Sequence, residues 1–401
     1  MSERLTAEQL AAAAPVDARE VSELVGAGML KPGDDGMFGP TDIQRLRAVK
    51  AMLSPGISLE QLRPAFEAGY FTLQPIEMLF PQVASATGQT FVDLADELAL
   101  PYDELLRVVV AAGFPAPRPE DLVREDDALL LRDLLTAGSM FGGEHVTTRA
   151  ARILGDSARR AADAGLALFE EGDQMRSPDH AEAMRDPRLR DEMNARGGQL
   201  MRLSEELLGR IFRRHLEHAL MRLWANSAER FLDELGIRPA SSAPPGFCFV
   251  DLAGFTALTE SAGDATAARL ASHLGELAER AAALHDGRVV KLLGDGAMLH
   301  FDEPLDAARG ALELVRQIEG SDLPSARGGA HAGPVIERDG DYFGRTVNIA
   351  ARTAAQAVPG QVLASEALAS ADAPDLRFRP IGGRELKGVG ALPLYEVAWA
   401  S

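Results

Sequence analysis

Residues 247–256 read FCFVDLAGFT, an apolar run that ends in an acid and is followed by a tight turn. The run Phe247–Leu252 predicts a buried strand, and the following residues predict a turn that opens a helix ending near Gly263. Backbone N–H groups at such a helix start can hold phosphate oxygens. Asp251, at the strand end, is placed to hold a divalent cation. Many α/β folds end a strand in aspartate, so this piece alone identifies no function.

A second piece, Arg288–Phe301, reads RVVKLLGDGAMLHF. Two apolar strands flank Asp295-Gly296, a dipeptide that favours a hairpin turn. Lys291 stands inside the first strand, where a lysine either serves a site or extends its amine to water. Asp295 could meet Asp251 and share metal ions, and two metals can assist both the attacking and the leaving oxygen of a phosphoryl transfer.

The third piece, His331–Arg352, predicts a strand and turn followed by a helix from Val347. Asn348 and Arg352 are four residues apart and therefore share one helical face. An amide and a guanidinium on one face suit a ribose oxygen and a phosphorus passing through five coordination. The alternative is an ordinary exposed face of a surface helix.

In this order the three pieces resemble the class III nucleotide cyclases. The resemblance covers about Phe247 to Ala398 and includes the closing stretches Arg384–Gly390 and Leu394–Val397. It implies an α+β chain in which a ferredoxin-like cyclase domain follows an all-α regulatory region. It also implies an adenylate cyclase, an enzyme that converts ATP to 3′,5′-cyclic AMP and pyrophosphate.

The resemblance implies a role for single residues around the triphosphate. Asp251 and Asp295 would hold two Mg²⁺ or Mn²⁺ ions per site, with the carbonyl of Leu252 assisting. The residues expected to bind substrate phosphates are Gly254, Phe255, Thr256 and Lys387.

It also implies how the base and sugar are bound. Lys291 would donate to adenine N1, and Asp341 would accept from the N6 amine. Guanylate cyclases of this family usually have Glu and Cys at those places, and guanine would leave these polar groups mismatched. Asn348 would orient the ribose, and Arg352 would stabilise charge on the α-phosphate. In this family the metal pair and the base-reading set come from different domains, so a chain carrying both implies a homodimer with two equivalent sites.

The chain before residue 247 is predicted to be helical, and the Pro- and Ser-rich stretch Pro239–Gly246 marks a linker. The predicted divisions are 1–70, a winged helix-turn-helix unit; 71–197, a helical regulatory domain; 198–246, a connecting helix with linker; and 247–401, the catalytic domain. Ala27-Gly28-Met29 and Ala112-Gly113-Phe114 head two segments of the same spacing, which indicates either a tandem repeat or two turns that share the same glycine and proline chemistry.

Residues 5–68 resemble the winged helix-turn-helix of MerR-type regulators, through Leu5–Leu10, Val21–Pro32 and Phe38–Ile43. The expected recognition stretch has Arg19 alone against Asp17, Glu20 and Glu23, whereas readers of the major groove need cations and amides. The formal net charge of −19 also argues against DNA. We therefore expect this unit to serve packing or ligand sensing.

Residues 81–171 resemble the helical domain that precedes the catalytic domain in some bacterial adenylate cyclases, through Ala111–Pro115 and Thr148–Gly155. That resemblance implies regulation by a small molecule or, as in some such proteins, by pH. From Gly198 to Leu235 the apolar spacing predicts one long helix, either a core helix or a dimer helix that carries a signal. His215 and His218 on it are either pH-sensing groups or ordinary surface histidines.

Composition limits the remaining classes. The 401 residues exceed one ordinary domain, and a single cysteine, Cys248, excludes a disulfide framework. No apolar run approaches the roughly 20 residues of a membrane span, and the first residues lack a signal peptide pattern. These features predict a soluble, cytoplasmic protein with no membrane partner. The competing hypothesis is a regulatory protein whose cyclase fold only senses nucleotide, and the complete set of site residues argues against it.

Overall fold

The computed structural model describes residues 4–14, 16–39, 41–53, 56–68, 86–176, 186–237, 243–255, 258 and 263–400. It separates into two compact units, Met1–Ala225 and Asn226–Ser401. Part of the predicted linker, 238–242, and the site residue Thr256 lie outside the described residues. None of the helices in the described ranges combines the length and the apolar character that a bilayer span requires.

Unit 1 is largely helical, as predicted. Its elements are α1 (Ala7–Ala13), α2 (Ala18–Gly26), α3 (Thr41–Leu53), α4 (Leu59–Glu67), β1 (Ala86–Thr90), α5 (Phe91–Glu97), α6 (Tyr102–Ala111), β2 (Leu122–Arg124), α7 (Glu125–Phe141) and α8 (Glu144–Arg176). The antiparallel pair β1–β2 is a small sheet that the all-α prediction did not include.

The two segments of equal spacing in unit 1 end their helices in the same way. Gly28 after α2 and Gly113 after α6 have φ of +73° and +88°. In both, the N–H of the next residue donates to the carbonyl five residues back, at 3.0 and 3.3 Å. Thr6 and Thr90 each form a capping box at the start of the helix that precedes α2 or α6, namely α1 and α5. These matching ends support the tandem-repeat interpretation.

The predicted long helix begins earlier than expected. Helix α9 spans Pro187–Glu234, 11 residues before Gly198, and proline suits a first helical position because its missing N–H would have no partner there. Its large apolar side chains are exposed along much of its length, including Leu207 (43%), Ile211 (54%) and Trp224 (62%).

Unit 2 is built on a seven-stranded sheet. Its elements are β3 (Gly246–Leu252), α10 (Asp264–Ala283), β4 (Arg288–Leu292), β5 (Gly296–Phe301), α11 (Asp306–Glu319), β6 (Ala326–Ala332), β7 (Ile336–Arg338), β8 (Asp341–Phe343), α12 (Arg345–Ala354), β9 (Val362–Ser365), α13 (Glu366–Ala369), β10 (Leu376–Leu386) and β11 (Gly390–Trp399). The sheet order is β10-β11-β9-β6-β3-β5-β4. The core β3-α10-β4-β5-α11-β6 therefore has the order 4-1-3-2, which confirms the predicted ferredoxin-like α+β fold.

The two faces of this sheet differ in what covers them. Alternate residues of β3, Cys248, Val250 and Leu252, pack with α10 and α11 in the main core. The other residues of β3 face a smaller cluster with Met298, Tyr342 and Ala350 of α12. The hairpin β7–β8 lies at this second face. By the same alternation Asp251 belongs to the second face.

Gly329 of β6 explains how α12 comes so near the sheet. A Cβ on this residue would lie 2.0 Å from the backbone nitrogen of Ala354. Only glycine leaves room for this contact.

Candidate active site

Asp251 lies on β3 between two neighbours that approach it closely. In the sheet register it is opposite Gly296 of β5 and Arg327 of β6. The Arg327 guanidinium donates to its Oδ2 from Nη2 at 2.9 Å and from Nε at 3.3 Å. Both side chains are about one-third exposed. Asp251 therefore stands at the protein surface with a neutralising partner.

Sequence reasoning missed Arg327. The signal was present, because β6 reads ARGGAHA and an arginine among glycines and alanines is as unusual as the lysine in β4. Its meaning depends on which residue lies opposite it, and that is decided by strand pairing.

Asp295 lies on the turn between β4 and β5, as predicted, but the turn is displaced by one residue. Its two central residues are Gly294, with φ of +79°, and Asp295, closed by the Leu293 N–H donating to the Gly296 carbonyl at 2.7 Å. Gly296 instead begins β5, where a Cβ would lie 3.1 Å from the Val250 carbonyl. This glycine is needed for close packing of strands rather than for the turn.

The turn brings Asp295 beside the end of β3. The Leu252 N–H donates to the Asp295 carbonyl at 2.8 Å, which sets the two predicted carboxylates on adjacent strand ends. The Asp295 side chain forms no hydrogen bond with any residue that the structure describes. Because the half-buried carboxylate has no such bond, its oxygens can accept a cation.

A β-bulge directs Lys291 towards the second face of the sheet. Arg288 is opposite His300, but Lys291 is opposite Met298, so β4 carries one extra residue. Without that extra residue Lys291 would alternate to the face covered by α10 and α11. The bulge therefore puts Arg288 and Lys291 on the same face.

Lys291 and Asp341 form an ion pair, 50 residues apart in sequence. Lys291 Nζ lies 2.5 Å from Asp341 Oδ2, and Oδ1 accepts the N–H of Tyr342 at 2.8 Å. Burial raises the pKa of Asp341, but these two hydrogen bonds outweigh it and the pKa is lowered. The pair presents a donor and an acceptor side by side, 40% and 31% exposed.

An aromatic cluster supports the strand that carries Asp341. The Tyr342 ring stacks on His300, with centroids 4.6 Å apart and planes 5° from parallel, and meets the edge of Phe247. Arg288 donates to the Tyr342 hydroxyl and lies over the ring at 5.6 Å. All three rings are at most 5% exposed.

Asn348 and Arg352 lie on α12, which begins at Arg345 rather than at the predicted Val347. The residues of α12 that face the sheet include Ile349 and Thr353. Asn348 is exposed and Arg352 half-buried. Neither forms a hydrogen bond or an ion pair with any residue in the described part of the chain, so the fold of one chain does not join them to Asp251.

The remaining predicted substrate residues are only partly described. Gly254 has φ of +72° in the turn after β3, and Phe255 packs against the main core. Thr256 lies outside the described residues. Lys387 is exposed in the turn after β10.

The donor set at Asp251 and Asp295 suits a hard divalent cation. It consists of two carboxylates, the kind of ligand that Mg²⁺ and Mn²⁺ prefer. Among the described residues no group of three or more histidine, cysteine or acidic side chains forms a metal cage.

Sequence similarity to known proteins extends over parts of both units. The profile of the family described as "Adenylate and Guanylate cyclase catalytic domain" matches residues 241–398. A protein of Mycobacterium tuberculosis strain H37Rv, described as uncharacterized, is 30% identical over 318 residues, 75% of this chain and 77% of the relative.

Two relatives carry a more specific description. An adenylate cyclase of Glutamicibacter nicotianae is 32% identical over 154 residues, 37% of this chain and 38% of the relative. A pH-sensitive adenylate cyclase of Mycobacterium tuberculosis strain CDC 1551 is 33% identical over 180 residues, 40% of this chain and 44% of the relative. The similarity to named adenylate cyclases thus covers less than half of the chain.

Proposed function

Because the chain belongs to the family of adenylate and guanylate cyclase catalytic domains, we propose that it converts ATP to 3′,5′-cyclic AMP and pyrophosphate. The observation that carries the choice of ATP is the pair Lys291–Asp341, with its ammonium and carboxylate 2.5 Å apart. Named relatives that are adenylate cyclases support the same choice.

The pair matches adenine and opposes guanine. Adenine offers an acceptor at N1, which meets the ammonium of Lys291, and a donor at N6, which meets the carboxylate of Asp341. Guanine offers a donor at N1 and an acceptor at O6, so that both contacts would face like groups. A base seated on the pair shields it from water, so a base that leaves these polar groups unpaired is rejected.

Two residues on adjacent strand ends, Asp251 and Asp295, would hold two Mg²⁺ or Mn²⁺ ions, with the carbonyl of Leu252 assisting. When bound, such ions lower the pKa of the attacking hydroxyl and neutralise the leaving pyrophosphate. Asp251 is already oriented by Arg327, whose guanidinium donates to one carboxylate oxygen. Backbone N–H groups of Gly254 and Phe255, with Thr256, would hold phosphate oxygens, and Lys387 would reach the terminal phosphate.

The reaction is an internal phosphoryl transfer. The ribose 3′-OH attacks the α-phosphate in line, and the bond to pyrophosphate breaks. Asn348 orients the ribose through its amide, and Arg352 stabilises the added negative charge on the α-phosphate. Rate enhancement then comes mostly from positioning and electrostatics.

The active unit in this proposal is a homodimer. Asn348 and Arg352 are unpaired within the described part of one chain and would act on the triphosphate held at Asp251 of the partner. Exposed apolar side chains flank the base-reading pair, which suits a surface that a second copy covers. They are Leu292 (49%), Leu293 (47%), Ile336 (68%) and Phe343 (51%).

Unit 1 would regulate the rate. It is a folded helical region, and one relative of the chain, from Mycobacterium tuberculosis strain CDC 1551, is described as a pH-sensitive adenylate cyclase. His215 and His218 are exposed on α9 and are candidates for such sensing. A small molecule bound by unit 1 is the other candidate signal.

The test is an activity assay on purified protein with Mn²⁺ and either ATP or GTP. We expect cyclic AMP from ATP at a much higher kcat/KM than cyclic GMP from GTP. Asp295→Ala should abolish turnover, whereas Asp372→Ala, an exposed acid elsewhere in unit 2, should keep it. Full activity in Asp295→Ala would refute the metal assignment, and preference for GTP would refute the substrate.

A further inference from the structure

Two contacts, not one, tie strand β4 to the hairpin β7–β8. The first is the pair Lys291–Asp341. The second lies one residue further along the hairpin, where Arg288 donates to the hydroxyl of Tyr342. The bulge in β4 makes both possible, because it places Arg288 and Lys291 on one face.

The second contact is the better anchored of the two. Tyr342 is 5% exposed, stacks on His300 and meets the edge of Phe247 at 5.0 Å. Such aromatic pairs stabilise beyond the area they bury. Burial raises the pKa of the Tyr342 hydroxyl, and Arg288 lowers it in part, so that the hydroxyl stays protonated at neutral pH and accepts the Arg288 bond.

The hairpin itself is short. Strands β7 and β8 form only three residue pairs and make a sheet of their own. Ile336 and Phe343, at the open end of the hairpin, are 68% and 51% exposed. A two-stranded hairpin is marginally stable alone, so its position depends on the buried ring of Tyr342.

Tyr342 also acts directly on its neighbour. Its backbone N–H donates to Asp341 Oδ1, while Lys291 donates to Oδ2. A carboxylate held at both oxygens cannot rotate away from the base. If Tyr342 loosened, Asp341 could withdraw, and the ammonium of Lys291 could then donate to guanine O6.

We propose that Arg288, His300 and Tyr342 are positioning residues that set the preference for adenine over guanine by fixing Asp341. The proposal rests on the proposed function, because it concerns the base that the same site reads. It assigns no contact with the nucleotide to these three side chains. Their effect is therefore on the ratio between two substrates.

The test compares the ratio of kcat/KM for ATP and for GTP in full-length variants. Tyr342→Leu removes the ring that stacks on His300, and Tyr342→Phe removes only the hydroxyl. Arg288→Met removes the guanidinium that donates to this hydroxyl. We expect the ratio to fall about ten-fold in Tyr342→Leu, the cost of one lost charged hydrogen bond, and less in the other two. The double variant Arg288→Met with Tyr342→Phe should show no more than the larger single effect, because the two changes break one bond.

The ratio is insensitive to the fraction of folded protein, since both substrates are measured on one sample. Tyr395→Phe, a half-buried tyrosine on β11, is the matched control and should leave the ratio unchanged. Where Tyr342→Leu fails to fold, Tyr342→Phe and Arg288→Met decide the outcome. A ratio unchanged in all folded variants, or an equal loss with both nucleotides, overturns the proposal.

A second measurement separates this proposal from the proposed function. Dissociation constants for α,β-methylene ATP and α,β-methylene GTP are determined by calorimetry with Mn²⁺, which needs no turnover. If the wild type binds the ATP analogue selectively but is inactive, the proposed function is refuted. The ratio of the two dissociation constants in the same variants would then still decide the role of Tyr342. ATP-selective turnover with unaltered ratios would refute the positioning role alone, and a wild type that binds neither analogue refutes both.

Discussion

The Arg327 guanidinium and the Asp251 carboxylate form an ion pair across adjacent strands, with Nη2 and Oδ2 2.9 Å apart. A cation that binds Asp251 has to compete with this guanidinium. We expect Arg327→Met to tighten the binding of Mn²⁺ about five-fold in the absence of nucleotide, equivalent to a partly exposed pair of about 1 kcal/mol. Titration calorimetry measures the effect. Arg327→Lys keeps the charge and should bind Mn²⁺ like the wild type, and equal affinity in all three proteins would contradict the competition.

The pair Lys291–Asp341 predicts a pH-dependent stability. The pKa of Asp341 is lowered: burial raises it, but the bonds from Lys291 and Tyr342 outweigh burial. A group whose pKa is lowered on folding stabilises the protein above its unfolded pKa, and that stability is lost as pH falls through the folded pKa. Lys291→Met should therefore destabilise at pH 7 and progressively less below about pH 4.

Urea unfolding followed at a series of pH values checks this prediction. Lys387→Met is the control, because Lys387 is exposed and forms no ion pair with any described residue. Its effect should be small and constant with pH. A destabilisation by Lys291→Met that is the same at acid and neutral pH would show that Lys291 does not lower the pKa of Asp341.

The proposed homodimer, in which each site is shared between two chains, predicts complementation. Asp295→Ala and Arg352→Ala should each be inactive, but a mixture that exchanges subunits should regain about a quarter of wild-type activity. Half of the dimers in it are mixed, and each mixed dimer has one intact site of two. A mixture of Asp295→Ala with Asp251→Ala should stay inactive, because both variants lack a metal-binding carboxylate and no mixed dimer has an intact site. Absence of recovery despite demonstrated exchange would place all site residues on one chain.

The exposed apolar side chains of α9 predict that this helix pairs with a second copy. Leu207→Glu combined with Ile211→Glu should raise the dissociation constant of the dimer at least about ten-fold, because it puts charges on a face that would be buried. Sedimentation equilibrium measures the constant. Gly209→Glu is the control for each single variant, Leu207→Glu and Ile211→Glu, because it adds the same single charge at a position on the helix without an apolar side chain. An unchanged constant in the double variant would exclude this helix from the interface.

A shortened chain tests regulation by unit 1. A protein that begins near Ser241, which lies outside the described residues, should differ from the full chain in rate or in pH profile at equal concentration. We compare cyclic AMP formation between pH 5 and pH 8, the range over which histidine changes charge. Identical profiles would show that unit 1 does not tune the reaction.

Much of the fold followed from local pattern. The apolar strand Phe247–Leu252, the hairpin around Asp295 and the helix carrying Asn348 were all predicted, and each begins or turns within two residues of its predicted place. Local pattern placed boundaries less well, as in the turn displaced to Gly294-Asp295 and the early start of α9 at Pro187. The order of residues determines which segments are buried, but the register between strands decides where a turn closes.

The sequence by itself determined the strands, turns and helix that carry the site residues, because strand and helix periods and turn residues are local properties of the chain. The ferredoxin-like fold was expected from the resemblance of these pieces to a known family. Only the tertiary structure decided which face Lys291 takes, since one extra residue in β4 reverses it. Tertiary structure also paired Asp251 with Arg327 and stacked Tyr342 on His300. These contacts join residues far apart in sequence, and their geometry depends on sheet register, which no single segment specifies.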